Sequence, residues 1–228
     1  ATEIVPLATA EDAKELLYDA LFWRVYCLLE LGDMSAMDVA IEAHAGLVQE
    51  RQQPLYLCVN IQFQAMRALL AGRFADSERL AQEALAIGQR LQTENVAGIF
   101  GLQMFTLRRE QGRLQELESA VRYFVQRHTA AAAWRPGLAL IYSELGRTRE
   151  ARMEFEYLAR HDFTDLPRDA LWMASMTYLT DVCTFLGDTA RAATLYHLLL
   201  PYAERAVVIG NAVACYGAMS RYLGTLAT

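Results

Sequence analysis

Lysine is almost missing from this chain of 228 residues: Lys14 is the single lysine among 21 basic residues, and the rest are arginines. No G-x-x-x-x-G-K-[ST] run occurs, which excludes a phosphate-cradling loop of that type. No Gly-x-Ser-x-Gly segment marks a hydrolase nucleophile elbow. Proline is scarce at five residues while 54% of the chain is hydrophobic, so the composition favours a packed core over disorder. Long apolar runs are missing too. The longest stretches free of charged side chains, Gln52 to Met66 and Ala206 to Ser220, each hold 15 residues, short of the roughly 20 that a spanning helix needs. There is no excess of positive charge: the formal net charge is −6 and the pI is near 5.3. That argues against direct nucleic-acid binding, which requires clustered cations.

The opening Ala-Thr-Glu-Ile-Val-Pro lacks the basic start and apolar run of a secretory signal. A cytoplasmic location with no membrane contact is expected, and the missing initial Met reads as a fragment or processed start. Cys27, Cys58, Cys183 and Cys215 are widely spaced in apolar helical contexts and read as reduced core residues. His44, His128, His161 and His197 are isolated from one another and show no metal-ligand spacing with cysteine or carboxylates. No catalytic, cofactor-binding or metal-binding residue is assigned, and an enzyme is not expected.

What the chain does carry is a recurring turn. Leu31-Gly32-Asp33, Ala71-Gly72-Arg73, Gln111-Gly112-Arg113, Leu145-Gly146-Arg147 and Leu186-Gly187-Asp188 each separate two apolar helical segments, and their glycines are spaced 40, 40, 34 and 41 residues apart. Such a period means one supersecondary unit that buries its apolar face only by stacking on its neighbours. In the fourth unit Leu138, Ala139 and Tyr142 precede the turn, and Ala151, Phe155 and Leu158 follow at i, i+4, i+7. The fifth has Leu179 and Cys183 before it and Ala192, Tyr196 and Leu199 after; the second has Ala65 and Ala68, then Ala81, Ala84 and Leu85. The first and third units are looser, with Met37 and Leu117 where the others hold a small residue. A small residue there lets the neighbouring helix approach closely.

The expected fold is all-α: about five antiparallel helix pairs over residues 1–228, wound into a single right-handed superhelix and followed by one unpaired C-terminal helix from about Val207 to Leu226. That helix would carry Val208, Ala212, Cys215, Met219 and Tyr222 on an uncovered face, so either self-association through this end or a partly mobile final helix is expected.

The unit resembles the tetratricopeptide repeat: a small residue, the turn glycine, an alanine five residues later and an aromatic four beyond that. Repeats of this length are similar to those of MalT-like signalling ATPases. Phe100-Gly101-Leu102-Gln103-Met104-Phe105-Thr106-Leu107-Arg108-Arg109-Glu110-Gln111-Gly112-Arg113 and the stretch from Leu166-Pro167-Arg168-Asp169 to Tyr222-Leu223-Gly224 resemble the C-terminal helical region of large bacterial regulators. Those join a nucleotide cyclase or a DNA-binding domain to an AAA-type ATPase module and then to such repeats. The resemblance implies a non-catalytic protein-interaction or signal-sensing module in signalling or transcription regulation, with a protein or peptide partner. The alternative is a helical domain that binds a small ligand and controls a linked ATPase, cyclase or transcription regulator. By the same resemblance, the groove-facing positions fall on Asp19, Phe22, Tyr26, Gln62, Met66, Thr106, Arg109, Thr177 and Asp181. Three charged segments carry a bland and a functional reading. Arg108-Arg109-Glu110 is either a solvated helix end with cations against the negative terminus or a set that places Arg109 in the groove. Arg168-Asp169 before Trp172 offers a similar choice, either a helix N-terminal carboxylate satisfying backbone donors or a groove position, and His161-Asp162 is a capped or solvated helix end or a functional pair.

Overall fold

The computed structural model describes residues 14–93, 95–127 and 134–228. His128, the N-terminal stretch through position 13 and the start of the fourth unit before Trp134 lie outside the described residues. Among those described, eleven α-helices account for most of the chain: α1 (Lys14–Glu30), α2 (Met34–Arg51), α3 (Pro54–Leu70), α4 (Phe74–Arg90), α5 (Val96–Glu110), α6 (Glu118–Arg127), α7 (Trp134–Glu144), α8 (Thr148–Leu158), α9 (Trp172–Leu186), α10 (Thr189–Leu199) and α11 (Met219–Leu226). Short 3-10 turns occupy Leu114–Leu117 and Leu200–Tyr202, and two strands, β1 (Ala206–Ile209) and β2 (Ala214–Ala218), form a small sheet. The chain divides into two compact units. One runs through Leu107 and adds Gly210–Cys215; the other holds Arg108–Ile209 and Tyr216–Thr228.

The five glycine turns share one backbone geometry. Gly32, Gly72, Gly112, Gly146 and Gly187 have φ of +75°, +70°, +65°, +69° and +65°. In each, the glycine N–H donates to the carbonyl three residues back and the next N–H to the carbonyl five back, as in Gly146 to Ser143 (3.0 Å) and Arg147 to Tyr142 (2.8 Å). This is the Schellman closure of a helix end. A Cβ at any of these glycines would meet nothing within 4 Å, so it is the left-handed φ, not crowding, that selects glycine. Gly88 is the opposite case: a Cβ there would collide with Val96 of α5.

The residue after each glycine starts the next helix in one of two ways. Asp33 and Asp188 cap with their side chains, accepting from the Ala36 N–H at 3.0 Å and the Arg191 N–H at 3.1 Å. Arg73, Arg113 and Arg147 cannot cap; each pairs instead with an acid three residues on, Asp76 (3.3 Å), Glu116 (2.6 Å) and Glu150 (2.9 Å). That places negative charge against the positive helix start. The third turn departs from the rest: Arg113 has φ −120° and leads into the 3-10 turn before α6.

Within the first unit, α1 packs on α2, α2 on α3 and α3 on α4. Phe22 of α1 meets Phe63 of α3, and Leu69 of α3 clusters with Met104 and Leu107 of α5. Within the second, α7 packs on α8 and α9, and α9 on α10 and α11. Ala151 and Phe155 are fully buried, and Leu138, Ala139, Tyr142, Leu158, Leu179 and Cys183 are buried with them. Ala192 and Tyr196 are only half-buried, because α10 turns Leu195 and Leu199 inward instead.

Residues 207–226 do not form the single helix expected. Val207, Val208 and Ile209 are β-branched and favour extended backbone, and they form β1. Gly210 (φ +55°) and Ala212 (φ +60°) then take left-handed conformations that a helix cannot contain. The Met219 N–H donates to the Arg205 carbonyl at 2.9 Å across the strand ends. The uncovered apolar face is also absent: Val208, Ala212, Met219 and Tyr222 are 5%, 1%, 0% and 1% exposed. The premise for self-association through this end is removed.

Candidate functional site

The strongest polar convergence in the second unit is built around Arg109, near the end of α5. Its Nη2 pairs with Asp181 Oδ2 of α9, and its Nε lies 3.3 Å from Glu144 Oε1 at the end of α7. The guanidinium carbon stands 5.9 Å from the ring centre of Tyr178 and 5.6 Å from that of Tyr216. The Tyr178 and Tyr216 hydroxyls bond each other, and the Tyr222 hydroxyl donates to the Tyr216 carbonyl at 3.3 Å. Three helices, one strand and α11 thus supply one buried arginine, two carboxylates and three tyrosines.

Burial opposes the Arg109 charge, but Asp181 and the Tyr222 and Tyr216 hydroxyls outweigh it and hold its pKa above the ordinary value. Burial pushes the Glu144 carboxyl up, and Arg109 only partly pulls it back. The Tyr222 hydroxyl, buried beside Arg109, is pushed up to about 12. Tyr178 is raised well above its usual range by burial and by Tyr216. With two carboxylates to one guanidinium, the centre suits holding a cation, and Arg109 is the cation it holds.

The first unit has a different buried polar centre. His44 is fully buried between Tyr18 (4.8 Å) and Phe63 (5.4 Å). Gln64 Nε2 donates to Asn60 Oδ1 at 2.7 Å, which turns Asn60 Nδ2 toward His44 Nδ1 at 3.1 Å. The ring proton therefore sits on Nε2, which has no hydrogen-bond partner. Burial alone lowers the His44 pKa to about 4.

An open cleft of about 380 Å³ lies in the same unit, lined by Asp38, Glu42, Arg67, Arg73, Asp76 and Arg79 among others. Its charges largely satisfy one another: Arg67 binds both Asp38 oxygens at 2.6 and 3.0 Å, and Arg73 pairs with Asp76.

Of the nine expected groove positions, the structure brings Arg109 and Asp181 into direct contact. Asp19 is exposed, and Phe22 and Tyr26 are half-buried, both against the ring of Trp23. Gln62, Met66, Thr106 and Thr177 are buried at 9%, 0%, 2% and 0%. Thr106 and Thr177 spend their hydroxyls on the Leu102 and Ala174 carbonyls of their own helices. Arg108 and Arg109 are not solvated: Arg108 is 9% exposed and pairs with Glu116 at 3.1 Å. Asp169 accepts from the Leu171 N–H, just ahead of α9, and His161 meets Asp165 at 2.6 Å in an exposed pair. Cys27 is exposed and Cys215 half-buried, against the expectation of four core cysteines; Cys58 and Cys183 are buried. Trp23 and Phe185 are exposed as well.

Glu144, Tyr178, Tyr216 and Tyr222 were not singled out as site residues by the sequence. Tyr178 lies three residues before Asp181, a spacing that puts both on one face of α9; Tyr216 carries no comparable signal. Among the described residues no three His, Cys, Asp or Glu side chains converge as a metal site would require, and no helix is long and apolar enough to cross a membrane. Comparison with protein families, curated proteins and solved structures finds no match for the chain.

Proposed function

We propose that this chain is a non-catalytic protein-interaction module, a signal-sensing segment of a larger cytoplasmic regulator of the kind its sequence resembles. The observation that carries the reading is the recurrence of one helix-pair unit. The same hydrogen-bonded turn closes the first helix of each pair, and within each unit successive first helices touch: α1 with α3, α3 with α5, and α7 with α9. Stacking of this kind buries one face of each helix and leaves the other faces for a partner. The chemistry of the Arg109 centre supports the same reading, because its charged and hydroxyl groups are engaged with one another.

A second reading, a helical domain that binds a small ligand and controls a linked effector, draws on the charged cleft of about 380 Å³, within the size range of ligand pockets. One pair of experiments separates the two. Panning a random peptide library against the immobilised chain should yield peptides that bind saturably in solution. A thermal-shift screen with nucleotides and charged metabolites should leave the chain unmoved. Stabilisation by a metabolite that disappears in Arg67→Ala would transfer the function to the cleft. Incubation with ATP and magnesium should give neither hydrolysis nor cyclic product; turnover abolished by a point mutation in this chain would overturn the proposal.

A further inference from the structure

We infer that the outer faces of α6 and α8, joined by the start of α7, dock an acidic polypeptide segment of a partner protein, one carrying aromatic or aliphatic side chains between its carboxylates. The inference rests on the interaction-module reading and names the partner's chemistry.

The inward stripe of α8 is already complete in Ala151, Phe155 and Leu158, and α6 turns Val121 inward. On the opposite faces large apolar groups stand in solvent: Met153 is 61% exposed, Tyr123 52%, and Phe124 and Tyr157 46% each. Phe124 and Tyr157 are linked through the start of α7. Phe124 meets Trp134 at 5.9 Å, and Arg135, the next residue, lies 4.0 Å over the Tyr157 ring. Arg160 lies 4.4 Å from the same ring, and Arg127 lies 5.0 Å over Tyr123.

The charge on this surface is not balanced in place. Arg127 and Arg160 form no ion pair among the described residues, and Arg135 shares only Glu154, at 3.4 Å. Exposed Glu156, three residues after Met153 and four before Arg160, is the second carboxylate on this face. In a molecule of net charge −6, this face carries three arginines against two carboxylates, Glu154 and Glu156. An arginine laid on an aromatic ring presents its planar donor fork already ordered, which suits bidentate capture of carboxylates. Tyr, Trp and Arg side by side also make the composition of interface anchors. A phosphate backbone would need a longer run of cations than three arginines.

The test uses the full chain and a fluorescein-labelled peptide alternating Glu with Phe and Leu, followed by fluorescence anisotropy. Saturable binding that weakens as salt rises is expected, with no binding of the same peptide carrying Lys for Glu. Tyr157→Ala and Arg160→Glu, each with unchanged circular dichroism, should weaken binding about tenfold or more, while Arg79→Glu in the first unit should leave it unchanged. Equal binding by all variants, no binding by the parent, or tighter binding of a single-stranded oligonucleotide would overturn the inference. Peptides recovered by panning that bind Arg160→Glu as well as the parent would sink this surface while leaving the module reading intact. Failure of every peptide would remove both.

Discussion

Two buried nitrogen bases, one in each unit, respond to burial in opposite ways. His44 sits among aromatic rings with an amide as its polar neighbour, and burial lowers its pKa to about 4. Arg109 is 13% exposed along its side chain, yet stays charged, because Asp181 and Glu144 reach it from two other helices. A group that can shed its proton avoids the cost of a buried charge; one that cannot must be given counter-charges. The first unit thus stores a latent charge, and the second a neutralised one.

The sharpest way to break that comparison is to remove the cation. Arg109→Met should leave two carboxylates facing apolar surface and three tyrosines, and cost about 3–5 kcal/mol in urea unfolding. Arg109→Lys should recover only part of it, since a point charge cannot bridge both acids in the same way. A loss below that of an ordinary surface substitution would mean the pairs are not formed.

Next comes acid. The folded His44 pKa of about 4 lies below its ordinary 6.5, so the unfolded chain binds the proton first. The His44 contribution is fully present above pH 6.5 and is lost as pH falls through 4, by about 3 kcal/mol. In His44→Phe that step should vanish from the stability profile. A step that persists would assign the titration to another group.

A smaller effect is expected inside the tyrosine cluster. Tyr178→Phe leaves the Tyr216 hydroxyl without this partner in a buried setting and should cost about 1–2 kcal/mol. Smallest of all should be Glu144→Gln. Its carboxyl is one-third exposed and burial already raises its pKa, so the amide should change stability by less than about 1 kcal/mol. If Glu144→Gln instead matched Arg109→Met, Glu144 and not Asp181 would be the main counter-charge.

Local signals carried much of the fold. Gly146 and its four counterparts could be read as turns because a left-handed residue closing a helix leaves a glycine in the sequence whatever surrounds it. The buried stripe Ala151, Phe155, Leu158 follows from helical periodicity. Periodicity misled at the C-terminus. Val208, Ala212, Cys215, Met219 and Tyr222 have near-helical spacing, but β-branched Val207, Val208 and Ile209 and left-handed Gly210 and Ala212 put the chain into a hairpin. It misled again on α10, where Leu195 rather than Ala192 faces inward.

By itself, then, the sequence determined the helices, their turns and most of the buried stripes, since each depends on residues within a few positions of one another. Only the tertiary structure decided which charges meet. Arg109 finds Asp181 across 72 residues and Glu144 across 35, and the Tyr178 hydroxyl finds Tyr216 across 38. Such pairings depend on where separate helices come to rest, and no local pattern of polarity encodes that distance.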